Sequence, residues 1–246
     1  MLRIRTGRRF ARAPRSGEAM EYSFQFNAVW NNWPFLLEGV WLTLAVTAGA
    51  LGSSLIMGLL ICVGRMAQAR WISYPARLYI EFFRNTPALV QLIWVYYCLP
   101  ILTGIDLSAA VSCTVALALY GAAYNAEIFR AGIESIERGQ IEAARSLGLT
   151  KFRTMTEVVL PQAIRRMVPP LVNEGVTLLK FSSLVSVLGV ADLTYQAQVL
   201  ATTTFRPIEI FTAIAVVYFV LCGIVAMLAR QVELRMGGGQ RRVAVR

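Results

Sequence analysis

The chain has 246 residues, 57% of them hydrophobic and only 15% charged, against about 25% charged in an ordinary soluble domain. A soluble surface cannot be covered from so small a polar supply, and the same arithmetic excludes a disordered, highly charged chain. A net charge of +10, from 24 basic and 14 acidic residues, therefore reads as a topology signal in the loops of a membrane protein, and nucleic acid is not an expected partner.

Residues 1–34 read as an N-terminal tail with an interfacial segment. The tail carries Arg3, Arg5, Arg8, Arg9, Arg12 and Arg15 but no apolar h-region, so it is not a signal peptide. The first apolar span covers residues 35–64, with Glu38 its only charge and Trp30, Trp33 and Trp41 around one end, where indoles favour the interface. Gly49, Gly52, Gly58 and Gly64 stripe this span at a spacing suited to close helix packing. The second span, residues 86–102, is short, and residues 78–83 could extend it by placing Glu81 and Arg84 near the headgroups. The third covers residues 107–128, the fourth 168–190 with Glu174 and Lys180 inside it, and the fifth 208–228. These five spans form a core over residues 35–230, followed by a basic tail, 231–246.

Basic residues cluster in residues 65–84, in residues 129–167 and in the tail, whereas residues 103–106 have none and 191–207 only Arg206. Alternating spans then put the N-terminus outside and the C-terminus in the cytoplasm. The six N-terminal arginines oppose this. Either the tail crosses as an exception, or the biological start is Met20; the second is preferred here. A start there leaves 18 basic and 13 acidic residues, or +5, and a mature chain retaining Arg3 would refute it.

The chain has no histidine, which removes histidine-based catalysis and the commonest metal ligand. Cys62, Cys98, Cys113 and Cys222 lie in apolar stretches without CxxC spacing and read as packing residues. No catalytic residue and no metal site is expected.

The stretch 129–166 is the most informative. Helix formers fill 140–147 and Gly148 follows as a C-cap. Ala143 and Ala144 give a low-profile face, with Ile141 and Leu147 as apolar contacts and Glu142, Arg145 and Lys151 as a polar rim. Leu160-Pro161 marks a break before the fourth span. This is either a docking helix or a solvated amphipathic connector. Deeper in the membrane, Glu174 and Lys180 stand six residues apart, about 240° net around a helix, so they do not share a face. Asn173 and Glu174 either face a polar cavity or make an interhelical contact; an ionisable group at this depth needs one of these. Arg84, Asn85, Thr86 and Pro87 form a second polar break, read as a span start or as part of a gate.

Glu142-Ala143-Ala144, three residues, Gly148, nine residues, Val158, one residue and Leu160-Pro161 resemble the EAA loop of binding-protein-dependent ABC importer permeases, although Ile is commoner where Val158 stands. Residues 123–133 (Ala-Tyr-Asn-Ala-Glu-Ile-Phe-Arg-Ala-Gly-Ile) and 81–91 (Glu-Phe-Phe-Arg-Asn-Thr-Pro-Ala-Leu-Val-Gln) are similar to the polar-amino-acid branch of that family. The resemblance spans about residues 20–230. It implies an all-α polytopic membrane protein with five transmembrane helices, in a type I ABC importer permease (MetI-like) core. It implies multi-pass residence in the inner, or plasma, membrane.

The resemblance further implies ATPase coupling through Glu142, Ala143, Ala144, Gly148, Leu160 and Pro161. It implies a substrate pathway that includes Asn173, Glu174, Lys180, Arg84 and Thr86. The implied partners are an ABC ATP-binding subunit dimer, a second permease copy or paralogue, a periplasmic or extracellular amino-acid-binding protein, and membrane lipid. No cofactor is expected on this chain. ATP would be used by the partner, since a Walker A motif is lacking. Relatives often carry an acid where Phe181 stands, which puts a simple transfer of substrate specificity in doubt. An ABC permease for an amino-acid derivative such as an opine is the near alternative. An ATP-independent secondary transporter is the distant one, opposed by the odd span number and the lack of internal symmetry.

Overall fold

A computed structural model describes residues 23–235, with side chains through residue 231. The arginine-rich tail, the Met20 start and the C-terminal tail beyond residue 235 lie outside the described residues. All regular structure among the described residues is helical.

A short α1 (Asn27–Asn31) leads into α2 (Trp33–Arg65). At 33 residues, α2 is about 50 Å long and has room to cross a bilayer with tilt. Trp30 and Trp41 are exposed, while Trp33 packs into the core. The glycine stripe of α2 divides. A Cβ on Gly58 would stand 2.7 Å from the Asn125 Cβ, and one on Gly49 3.1 Å from the Thr114 Cγ2, but Gly52 faces open space. Gly39 is crowded by backbone alone: a Cβ there would lie 2.7 Å from the Leu193 Cα.

The second apolar run is not one straight span. α3 (Arg70–Asn85) and α4 (Ala88–Thr103) meet at a bend of 109°. Residues 78–83 therefore do not extend the second span; they belong to a separate helix that turns aside. Thr86 and Pro87 both adopt extended backbone at the break, as expected for a residue before proline. Gln91 secures the elbow: its Nε2 donates to the carbonyls of Phe83 at 2.9 Å and Thr86 at 3.0 Å, and to the Thr86 hydroxyl at 2.6 Å. At 16 residues, α4 is about 24 Å long, short of a full span.

α5 (Ala109–Glu134) is the central helix, capped by Ser108 and packed against α2, α3, α4 and the later α8. Small residues let it approach α2 closely: Gly121 sits against Ser54, and Asn125 Nδ2 donates to Ser54 Oγ at 3.0 Å. The main core gathers Val46, Ala50, Leu92, Val95, Leu117 and Leu178 around it.

Then come α6 (Arg138–Ser146), the single turn α7 (Lys151–Arg153), a π-helical segment at Thr154–Val159, α8 (Leu160–Phe181) and a 3₁₀ segment at Ser182–Leu188. The last four run on as one 38-residue element, Lys151–Leu188. This corrects the expected break at Leu160-Pro161. A proline lacks the N–H and crowds the carbonyl four residues back. Here the preceding turn is already widened, with the Leu160 N–H bonded to the Met155 carbonyl five residues back. Pro161 is thus accommodated at the start of α8 rather than ending a helix.

The stretch 191–207, expected as a loop, holds α9 (Leu193–Thr204). Asp192 caps it by accepting from the Tyr195 N–H at 2.9 Å and the Thr194 N–H at 3.2 Å. It packs with Leu36, Ile210 and Ile214 in a second core between α2 and α10 (Pro207–Arg235). By length and apolarity the described chain offers four spans (α2, α5, the Lys151–Leu188 element and α10), or five when the α3–α4 pair is counted as one.

Candidate functional site

Three groups of residues form the site: the exposed face of α6, the outward face of α8, and an ionic cluster at the end of α5. α6 ends in a Schellman motif. The Leu149 N–H reaches the Ala144 carbonyl at 3.2 Å and the Gly148 N–H reaches Arg145 at 3.0 Å. Gly148 adopts φ +81° to allow this, the left-handed conformation that glycine takes without a Cβ penalty.

Ala143 and Ala144 do not share a face. Successive helical residues point about 100° apart, and Ala144 is buried while Ala143 is exposed. Ala144 belongs to the inner side of α6, near Ile141, which packs with Ile136, Val159, Ala163 and Met167. The outer face consists of Gly139, Glu142, Ala143, Ser146 and Leu147, the last 83% exposed. Gly139 and Ser146 were missed by sequence reasoning; the i, i+4, i+7 spacing 139–143–146 was the available signal. Gln162 ties α6 to α8 by donating to Gln140 Oε1 at 2.8 Å. Arg166 donates to the Ser135 carbonyl. Leu160 and Pro161 take no part in the outer face; they sit at the junction described above.

On α8, Arg166, Asn173 and Lys180 are exposed at seven-residue steps, which puts them on one side of the helix. Glu174 does not join them. It is buried, and its Oε1 has no hydrogen-bond partner among the described residues. The expectation that Asn173 and Glu174 face the same cavity is thus corrected: Asn173 opens outward and Glu174 turns in toward α5. Lys180 lines a cleft of about 710 Å³ with Ser183, Thr194 and Tyr218, between α8, α9 and α10. Phe181 packs edge-on against Tyr120 at 5.3 Å between centroids. Tyr120 continues to Tyr124 at 4.7 Å, and the Arg84 guanidinium sits 5.4 Å above Tyr124.

Arg84 and Thr86, two residues apart in sequence, are separated by the elbow. Thr86 is held by Gln91, whereas Arg84 faces a cleft of about 410 Å³ with Tyr124, Glu127, Ser135 and Arg166. Glu127 is the hub. It takes Arg130 at 2.8 Å, Arg65 at 3.2 Å and Arg84 at 3.9 Å, joining the ends of α2, α3 and α5. Arg130 also pairs with Glu134. Glu127→Ala should cost about 3 kcal/mol, because it strands partly buried guanidinium groups. The check is thermal unfolding of the purified chain in detergent. An unchanged melting temperature would show that the cluster is not a structural clasp.

A family model described as "Binding-protein-dependent transport system inner membrane component" matches residues 50–238. The chain is 36% identical over 214 residues to the glutamine transport system permease protein GlnP of Escherichia coli (strain K12), covering 87% of this chain and 98% of that one. It is 35% identical over 213 residues to the probable amino-acid ABC transporter permease protein YckA of Bacillus subtilis (strain 168), covering 87% and 94%. A chain from the crystal structure of an amino acid ABC transporter with histidines superposes with a TM-score of 0.83 at 39% identity, over 87% of this chain and all of that one.

Proposed function

The chain belongs to the family of binding-protein-dependent transport system inner membrane components, and on that premise we propose how its residues divide the work. It is the transmembrane permease subunit of an ABC importer for amino acids. One observation carries this above the rest: the 39% identity to an amino acid ABC transporter chain over that chain's full length.

The outer face of α6, with Glu142 and Ala143 upon it and Gly148 closing it, docks in a groove of a cytoplasmic ATP-binding subunit. Ala144, Leu160 and Pro161 serve from behind, by seating α6 on the long element that contains α8. ATP is bound and hydrolysed by that partner, not by this chain. The polar row Arg166–Asn173–Lys180 on an otherwise apolar span is costly against lipid. Its cover is a second permease copy or paralogue, with the aqueous pathway between them. Asn173 and Lys180 line that pathway, and Glu174, buried beside them, meets the substrate's ammonium group only when α8 parts from α5 during the transport cycle. Arg84 stands at the cytoplasmic mouth and Thr86 holds the elbow beside it. The basic ends of α2 and α3 and the loop 129–166 lie in the cytoplasm and α10 ends there, by the positive-inside rule. A binding protein delivers the solute from the opposite side.

The test is co-purification after mild detergent extraction, then ATPase assay with the binding protein and candidate amino acids. A preparation without an associated ATPase, or one deaf to every amino acid, overturns the reading. For the pathway, Glu174→Gln should weaken apparent substrate affinity about tenfold, the worth of a charge-assisted hydrogen bond. Transport by that variant at the wild-type rate and affinity sinks the carboxylate contact alone.

A further inference from the structure

We infer that the elbow between α3 and α4 seats an anionic phospholipid, with an acyl chain in the elbow and the headgroup on Arg70 and Arg77. The inner angle of the elbow encloses about 290 Å³, lined by apolar surface from Phe82, Val90, Trp94 and Leu119. The one amide at its wall, Gln91, turns its nitrogen to the carbonyls at the end of α3. The same side of α3 continues away from the elbow as Trp71, Tyr74, Leu78 and Phe82, all more than half exposed. Their spacing of 3, 4 and 4 residues places them in one stripe.

Arg70 and Arg77 flank that stripe. They are exposed and have no ion-pair partner among the described residues, whereas Arg84, next in the same seven-residue row, is engaged by Glu127. Glu81 lies near the row, but its carboxylate accepts from Asn85 Nδ2 at 3.2 Å. Two turns separate Arg70 from Arg77, about 10 Å along the axis. The 109° bend decides the occupant. If α4 enters the hydrocarbon, α3 must lie near the membrane plane, with its aromatic stripe toward the acyl chains and its arginines at the phosphates. That is the arrangement of an interfacial amphipathic helix, with Trp and Tyr at headgroup depth and basic residues attracted to anionic lipid. The inference rests on the cytoplasmic placement of α3 proposed above.

Native mass spectrometry of the full transport complex in mild detergent tests it, with dioleoyl phosphatidylglycerol and dioleoyl phosphatidylcholine as probes of matched chains. The wild type should retain the glycerol lipid roughly tenfold better, as two arginines at an anionic headgroup imply. R70Q/R77Q should erase the preference and keep the residual binding. Val90→Trp, which fills the elbow, should release one bound lipid of either kind. Circular dichroism confirms that each variant is folded. Equal retention of the two lipids by the wild type, or an undiminished preference in R70Q/R77Q, overturns the assignment. So does a disulfide between two Leu78→Cys chains in native membranes, which would seat a second copy there instead. ATPase stimulation by substrate, read on the same preparation, reports the transport role separately.

Discussion

Ala143→Trp is expected to yield a folded permease that no longer holds an ATP-binding subunit. Ala143 is exposed on α6, beside the small residues Gly139 and Ser146 and the projecting Leu147. An indole at this exposed position points outward and fills the space a partner must approach. Interface centres tolerate such changes poorly, and a loss of at least 2 kcal/mol, roughly thirtyfold in affinity, is expected. Gly148→Val should reach the same end by another route. No heavy atom lies within 4 Å of its would-be Cβ, so its cost is conformational: about 1–2 kcal/mol for an L side chain held left-handed. The Leu149–Ala144 hydrogen bond would be lost with it, and Gly148→Asn should restore much of the function, since Asn visits that conformation. Pull-down of the ATP-binding subunit, alongside a melting curve of the permease, distinguishes docking from unfolding. Full association of Ala143→Trp would remove α6 from the coupling interface.

Gly39→Val should be the most damaging single change to the fold. The new Cβ would lie 2.7 Å from the Leu193 Cα, 2.8 Å from its nitrogen and 2.9 Å from the Asp192 carbonyl carbon. All three are backbone atoms, so no rotamer relieves the clash. The segment cannot slide away freely, because the Leu193 N–H is bonded to Thr43 Oγ1 at 3.2 Å and Asp192 caps α9. Overpacking costs about 1–3 kcal/mol where side chains can adjust, and more is expected here. Gly52→Val, on the same helix but facing open space, is the control and should change stability little. Equal melting temperatures for the two variants would refute the close contact of α2 with the start of α9.

The long apolar helices were legible in the sequence because hydropathy records them directly. The first, third and fifth runs correspond to α2, α5 and α10, although α5 and α10 run on six and seven residues past the expected ends. The short helix expected at 140–147 is present as α6, and Gly148 closes it as expected. Direction was harder to read than apolarity. Residues 78–83 are apolar enough to prolong a span, but Thr86-Pro87 turns them away; the seven-residue spacing of Arg70, Arg77 and Arg84 was the sign of a helix with a basic edge. α9 was hidden by the polar run Thr202–Thr203–Thr204, although Asp192 is an ordinary N-cap. The proline rule failed at Pro161 because a wide turn precedes it. Ala144 was assigned to the docking face by adjacency, and helical rotation places it inside. Glu174 was recognised as anomalous from its charge alone, but only the packing shows which way it turns.

The uninterrupted element Lys151–Leu188 has a mechanical corollary. It crosses α5 where Met167 meets Gly132, so closely that a Cβ on that glycine would come within 2.3 Å of the Met167 Cγ. Lys151 lies 16 residues to one side of this crossing and Lys180 13 to the other, about 24 Å and 20 Å along the axis. The element is a balance beam with nearly equal arms. Tilted about that pivot, it carries its two ends in opposite senses by similar distances. On the docking role proposed for α6, and if the element tilts as one body, a few ångströms of travel at the α6 end arrive at Lys180 inverted and with little loss.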